Sequence, residues 1–138
     1  MEITSSHSAA QMLRSLMCSE VEEFWVLALT SGKTVINTKC LFRGTVDACL
    51  VHPRDIFRFA CITNASSILV AHNHPSGDPL PSENDIRLTK RLRHASTMME
   101  IPLLDHLIIT ETEHTSFSEL HWFLTRRKQQ RSRQKDPE

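Results

Sequence analysis

Three stretches of the chain are dense in apolar residues. Phe24-Trp25-Val26-Leu27-Ala28-Leu29, Ser67-Ile68-Leu69-Val70-Ala71 and Leu103 to Thr110 are short, partly β-branched or aromatic, and bounded by polar or turn residues. Runs of that kind predict buried strands. Between them the apolar positions fall three and four residues apart, which is the helical period. Ala9, Ala10, Met12, Leu13 and Leu16 predict a helix over about 8–17. Pro53, at a first helical position, opens a second that reaches about Asn64 and turns Ile56, Phe57, Ala60 and Cys61 inward. A third starts after Ser82 as N-cap, runs through Ile86 and Leu92 to about Met99, and is ended by Pro102.

Thr30-Ser31-Gly32-Lys33 reads as a turn between a strand at about 24–30 and a second at about 34–40, with a third extended segment over 41–47. Leu103–Thr110 and Ser116-Phe117 form a closing hairpin, and a terminal helix starts at Glu119. Strands interleaved with helices predict an α/β fold, a mixed sheet with helices on both faces.

Composition narrows the class. A chain of 138 residues with 40% hydrophobic content makes one domain with a real core. No apolar run approaches the ~20 residues that span a bilayer, and the N-terminus lacks the charged-then-apolar pattern of a signal peptide. A cytoplasmic, membrane-free protein is expected. Cys18, Cys40, Cys49 and Cys61 form no CxxC pair, so they are expected to be reduced and mostly buried, with no zinc–cysteine site. Charge is balanced overall but divided along the chain. Residues 126–138 hold six of the sixteen Lys and Arg against two acids. That segment has nothing apolar to bury, so the domain is expected over 1–125 with a basic, disordered tail over 126–138. Contact with nucleic-acid phosphates is the second reading of the tail, behind a plainly solvated terminus.

The candidate chemistry lies between the second apolar run and the third helix. His72-Asn73-His74 follows the strand, Pro75, Gly77, Pro79 and Pro81 restrict the loop beyond it, and Asp85 stands eleven residues after His74. Residues i and i+2 of an extended chain face the same way, so both imidazoles can meet one point while Asn73 faces away. Asp85, in the first turn of the helix, can return to that point. Two histidines and one carboxylate bind Zn²⁺ with a fourth position left for water, the arrangement of a hydrolytic site. Each residue also has a plainer reading. Ser82 and Asp85 have the spacing of a capping box and could serve only the helix end. An HxH pair can be ordinary packing. His106, inside the apolar run, reads by default as a satisfied core histidine, with support of a zinc ligand or contact with a substrate as the alternative, and Asp105 faces the other side of that strand. His52 is weighed the same way. A carboxylate at Glu22 or Glu23, at the mouth of a buried strand, is most simply a solvated residue.

The whole spacing H-x-H, seven residues, Ser, two residues, Asp resembles the JAMM (JAB/MPN+) metalloprotease signature. The wording around it is closer still to the RadC family: Gly44-Thr45, Val51-His52-Pro53-Arg54-Asp55, Asn64-Ala65, His72 to Gly77, Pro81-Ser82, Leu104-Asp105-His106 and Ser116-Phe117, from about Glu22 to about Glu119. The resemblance implies a JAMM, cytidine-deaminase-like core. It implies zinc on His72, His74 and Asp85, an oxyanion role for Ser82, and a glutamate acting on the water from the Glu22-Glu23-Phe24 segment. Glu22 fits the family spacing and Glu23 is the reserve. The implied activity is a zinc metallopeptidase or isopeptidase acting on a protein or peptide. The alternative is a non-catalytic metal-binding module associated with DNA repair or mobile elements. Full-length relatives carry a further helical region upstream, whereas about twenty residues precede Glu22 here, so the resemblance is to short forms. True cytidine deaminases are set aside because their Pro-Cys-x-x-Cys ligand pair is missing. Thr30-Ser31 and Leu120-His121 depart from the family pattern, both at turns.

Overall fold

A computed structural model of the chain describes residues 1–18, 20–44 and 51–122. Its elements follow the order α1 (Ser6–Leu16), β1 (Glu23–Leu29), β2 (Val35–Arg43), α2 (Pro53–Ile62), β3 (Ser67–Asn73), α3 (Glu83–Met99), β4 (Leu103–Ile109) and β5 (His114–Ser116). The strands form one five-stranded sheet in the order β2-β1-β3-β4-β5. Only β3 and β4 run parallel; the other neighbours are antiparallel. A parallel pair needs a long crossover, and α3 supplies it.

The apolar runs are explained by a sheet covered on both sides. Phe24, Val26, Ala28, Ile68 and Val70 pack against Ile56, Phe57, Phe59 and Ala60 of α2 and Leu88 and Leu92 of α3. The alternate residues Leu27, Leu29, Leu69, Ala71, Leu107 and Ile109 pack against Ala9, Ala10 and Leu13 of α1. Successive side chains of β1, β3 and β4 therefore enter two different cores, and neither face has room for polar alternation. His72 and His106 share the face that carries α2 and α3, whereas Asn73 and Asp105 take the opposite one.

Several boundaries differ from expectation. α1 starts two residues early, at Ser6, because Ser5 and Ser8 form a reciprocal capping box. Positions 41–43 continue β2 and begin no separate strand: a register shift between Phe24 and Trp25 lets pairing extend to Glu23 and Arg43. The rest of that expected segment, 45–47, lies outside the described residues, as does Cys49. In the β1–β2 turn the left-handed residue is Lys33, with φ 64°, and not Gly32. Thr30 Oγ1 accepts from Thr34 N at 3.0 Å and holds that turn. The expected helix from Glu119 does not start there. Phe117 to Trp122 curl into a turn closed by Trp122 N donating to Phe117 O, and His121 and Trp122 both have φ 52°. Asp105 organises this turn, its carboxylate accepting from Ser116 Oγ and from Ser118 N. The remainder of that helix and the whole 126–138 tail lie outside the described residues.

The cysteines are a further correction. Cys18, Cys40 and Cys61 are free thiols as expected, but none is buried: Cys61 is exposed and the other two are half-buried. On α2 the inward stripe is Ile56, Phe57, Phe59 and Ala60, so Cys61 falls on the outer side of the helix. Among the described residues no helix is long and apolar enough to cross a membrane.

Candidate metal centre

β3 delivers both histidines to the end of the sheet next to the start of α3. His72 pairs with Phe24 of β1 near the end of the strand, and His74 follows one residue past Asn73, its N–H donating to Ile109 O of β4 at 2.9 Å. The chain then turns sharply. Gly77 N donates to His74 O at 3.0 Å, with Gly77 at φ 89°, a conformation that strains any residue with a Cβ. Thr115 Oγ1 donates to Pro79 O at 2.6 Å and fastens the loop to β5. Ser82 then caps α3.

The capping box and the histidine cluster are one structure. Ser82 Oγ accepts from Asp85 N at 3.1 Å, and Asp85 Oδ2 accepts from Ser82 N at 2.8 Å. The carboxylate so held points at both imidazoles. Asp85 Oδ1 is 3.0 Å from His72 Nε2, Asp85 Oδ2 is 3.2 Å from His74 Nε2, and the two Nε2 atoms are 3.0 Å apart. These three residues form a group able to hold a metal ion.

The donor set fits a cation. His74 Nδ1 lies 2.8 Å from Asp78 O, a carbonyl that only accepts, so the proton of a neutral His74 is on Nδ1 and its Nε2 lone pair faces the cluster. That lone pair and the Asp85 carboxylate converge on the same point as His72 Nε2, and the set of two nitrogens and one oxygen suits a borderline divalent ion such as Zn²⁺. Without a cation between them, the same groups act on one another through protons. Burial pushes the Asp85 carboxyl up, but hydrogen bonds from His72 and His74 outweigh it and hold the group well below the usual carboxylate range. His74 is raised by its hydrogen bond to Asp85, with burial opposing and Glu22 adding to the rise. His72 and Asp85 are sealed, while His74 is partly open and borders a cleft of about 400 Å³ walled in part by Met17, Cys18, Asn73 and Thr110.

The two glutamates separate clearly. Glu23 is buried and fully engaged: its Oε1 accepts from Cys18 N at 2.9 Å and Trp25 Nε1 at 3.1 Å, and its Oε2 meets Arg43 Nε at 3.2 Å. Glu22, just before β1, is half-buried, and its charge acts on His74. It lines a hollow with Glu20, Val21, Gly44, Pro75 and Ser76, directly across from the loop that carries the histidines.

Two residues near the cluster had no role in the sequence reading. Asn73, expected only to face away, is buried and ties down the segment before β1. Its Oδ1 accepts from Glu23 N at 2.6 Å, and its Nδ2 donates to Cys18 O at 2.7 Å and Val21 O at 2.9 Å. The signal was available: a polar residue between two core-facing histidines must find partners on the other face. Thr89 Oγ1 donates to Asp85 O at 2.7 Å and lies 2.6 Å from His106 Nδ1, while His106 Nε2 lies 2.8 Å from His72 Nδ1. A threonine on a helix gives no such signal. Burial holds His106 well below the usual imidazole range. His52 stays apart from the site, exposed before α2.

Comparison with known proteins agrees with this geometry. The chain is 42% identical over 118 residues to a UPF0758 protein of Staphylococcus aureus (strain bovine RF122 / ET3-1), covering 86% of this chain and 52% of that one. It is 43% identical over 99 residues to a UPF0758 protein of Symbiobacterium thermophilum, covering 72% and 42%. The chain thus spans about half the length of the curated relatives it matches. The family model described as RadC-like JAB domain matches residues 3–122. A His-His-Asp cluster at the end of a central strand, inside a match that takes in every described element, places this chain in the RadC-like JAB domain family.

Proposed function

We propose that the domain is a zinc-dependent hydrolase of peptide or isopeptide bonds, with His72, His74 and Asp85 holding the ion, Glu22 as general base and Ser82 as oxyanion donor. The observation that carries this reading is the convergence of His72 Nε2, His74 Nε2 and the Asp85 carboxylate on a point closed on the His72 side and open beside His74. When bound, zinc supplies a Lewis acid that polarises the scissile carbonyl and brings the pKa of water towards ~7. The protein's own groups do the rest. Glu22, outside the ligand set and across the hollow from the histidine loop, takes the proton of the attacking water and passes it to the leaving amine. Glu23 is committed to Cys18, Trp25 and Arg43, which supports Glu22 as the base. Ser82 Oγ accepts from Asp85 N, an arrangement that leaves its own proton for the developing oxyanion. A protein or peptide chain laid in the cleft beside His74 is the matching substrate class.

The test is metal analysis joined to an assay. The purified chain should carry about one zinc, His74→Ala should lose most of it, and cleavage of peptides or isopeptide-linked conjugates should stop on chelation and return with zinc. Full zinc in His74→Ala, or cleavage indifferent to chelation, would overturn the reading.

A further inference from the structure

We infer that His106 is a positioning residue, which fixes His72 in the tautomer whose Nε2 lone pair faces the metal site and links that ligand through Thr89 to the backbone of Asp85. The inference rests on the proposed ligand set and adds two residues to it.

The proton order follows from donor and acceptor capacity. Asp85 O is a carbonyl and only accepts, so the Thr89 hydroxyl, 2.7 Å away, commits its single proton there. The Thr89 oxygen must then accept from His106 Nδ1, at 2.6 Å. His106 is fully buried, stacked on Phe117 at 4.8 Å between ring centres and edge-on to Phe24 at 5.9 Å, surroundings in which a neutral ring is favoured over an imidazolium. A neutral imidazole with its proton on Nδ1 has its lone pair on Nε2, and that atom lies 2.8 Å from His72 Nδ1. His72 Nδ1 is therefore the donor, and His72 Nε2 keeps its lone pair for a cation shared with Asp85 Oδ1, 3.0 Å away.

The relay runs from one proposed ligand to another: His72 on β3, His106 on β4, Thr89 on α3, and back to the peptide of Asp85. Every proton in it has one place to go, so the wrong His72 tautomer would leave two nitrogen lone pairs facing each other between buried side chains. Outer partners that orient a ligating imidazole are worth about 10- to 100-fold in metal affinity.

The test uses the full chain and two substitutions of different chemistry. His106→Leu keeps volume and removes the acceptor; His106→Gln offers a side-chain carbonyl at the height of the lost Nε2. Zinc affinity, measured by competition with a chromophoric chelator, should fall about 10- to 100-fold in His106→Leu and recover most of that loss in His106→Gln. In zinc-loaded, ¹⁵N-labelled wild type, the ring signals of His106 should show the proton on Nδ1, and a nitrogen–nitrogen coupling should cross from His72 Nδ1 to His106 Nε2. The spectrum needs no variant, so it decides the matter even if His106→Leu fails to fold. A proton on His106 Nε2 would overturn the relay. So would His106→Leu binding zinc as tightly as wild type, or His106→Gln binding no better than His106→Leu. Wild type that takes up no zinc would instead remove the ligand assignment on which the relay depends.

Discussion

At the scale of single residues, neighbours in sequence part company because a strand sends them to opposite faces. His72 and Asn73 are one such pair. Asn73 and Glu23 both bond to the segment before β1 and hold its entry in place, while the charge of Glu22, one residue before the strand, acts on His74. That division makes a prediction. Glu22→Gln keeps size and hydrogen-bonding capacity but removes the base, so hydrolysis should fall by roughly 10²-fold or more while zinc content and melting temperature stay near wild type. Glu23→Gln should show the reverse pattern. It weakens the pairing with Arg43 and the anchoring of Cys18, so stability should fall, and activity should follow only as far as the fold is lost. Side-by-side melting curves, zinc analysis and initial rates check both; turnover lost in Glu23→Gln with full stability would exchange the two roles.

At the scale of elements, the N-terminus of α3 shows that two readings of one spacing can both hold. Ser82 and Asp85 are a capping box, and the same bonds aim Asp85 at the histidines. A motif with a sufficient local explanation was still part of the site, because a capping carboxylate has two oxygens and several lone pairs to share. Ser82→Ala removes the acceptor for Asp85 N and leaves the bond from Ser82 N to Asp85 Oδ2. It should cost about 1 kcal/mol of stability, the usual value of an N-cap. Zinc binding should weaken as well, since Asp85 loses part of its orientation. Denaturant unfolding and chelator competition read these separately, and unchanged zinc affinity in a destabilised variant would show that the cap serves only the helix. The His-His-Asp group was legible because its residues are rare types at fixed offsets along one strand, loop and helix. The Thr89–His106 support was not, since it joins α3 to β4 through a pairing that only the parallel β3–β4 register creates.

At the scale of the whole molecule, the apolar runs pointed to buried strands in a mixed sheet with helices on both faces, but not to the strand order. Any of them could have taken the centre, and the observed β2-β1-β3-β4-β5 arrangement follows from which helices and turns connect them. The same order places β3, with its two histidines, between β1 and β4, so the segment carrying Glu22 and the strand carrying His106 flank the site from opposite sides. The described packing is closed by Trp122, whose N–H donates to Phe117 O at 2.8 Å and whose ring lies 4.1 Å beneath the Arg93 guanidinium. Residues 126–138 add six basic side chains and nothing apolar. That composition predicts a segment that adds little burial, and its loss should leave the core as it was. A chain ending at Thr125 should therefore melt cooperatively within a few degrees of the full chain and retain its zinc. The contrasting cut, before Phe117, removes the residue stacked on His106 along with Trp122, and should lower both melting temperature and zinc affinity. Loss of cooperative melting in the chain ending at Thr125 would show that the basic segment packs against the body, and would move the boundary of the domain beyond residue 125.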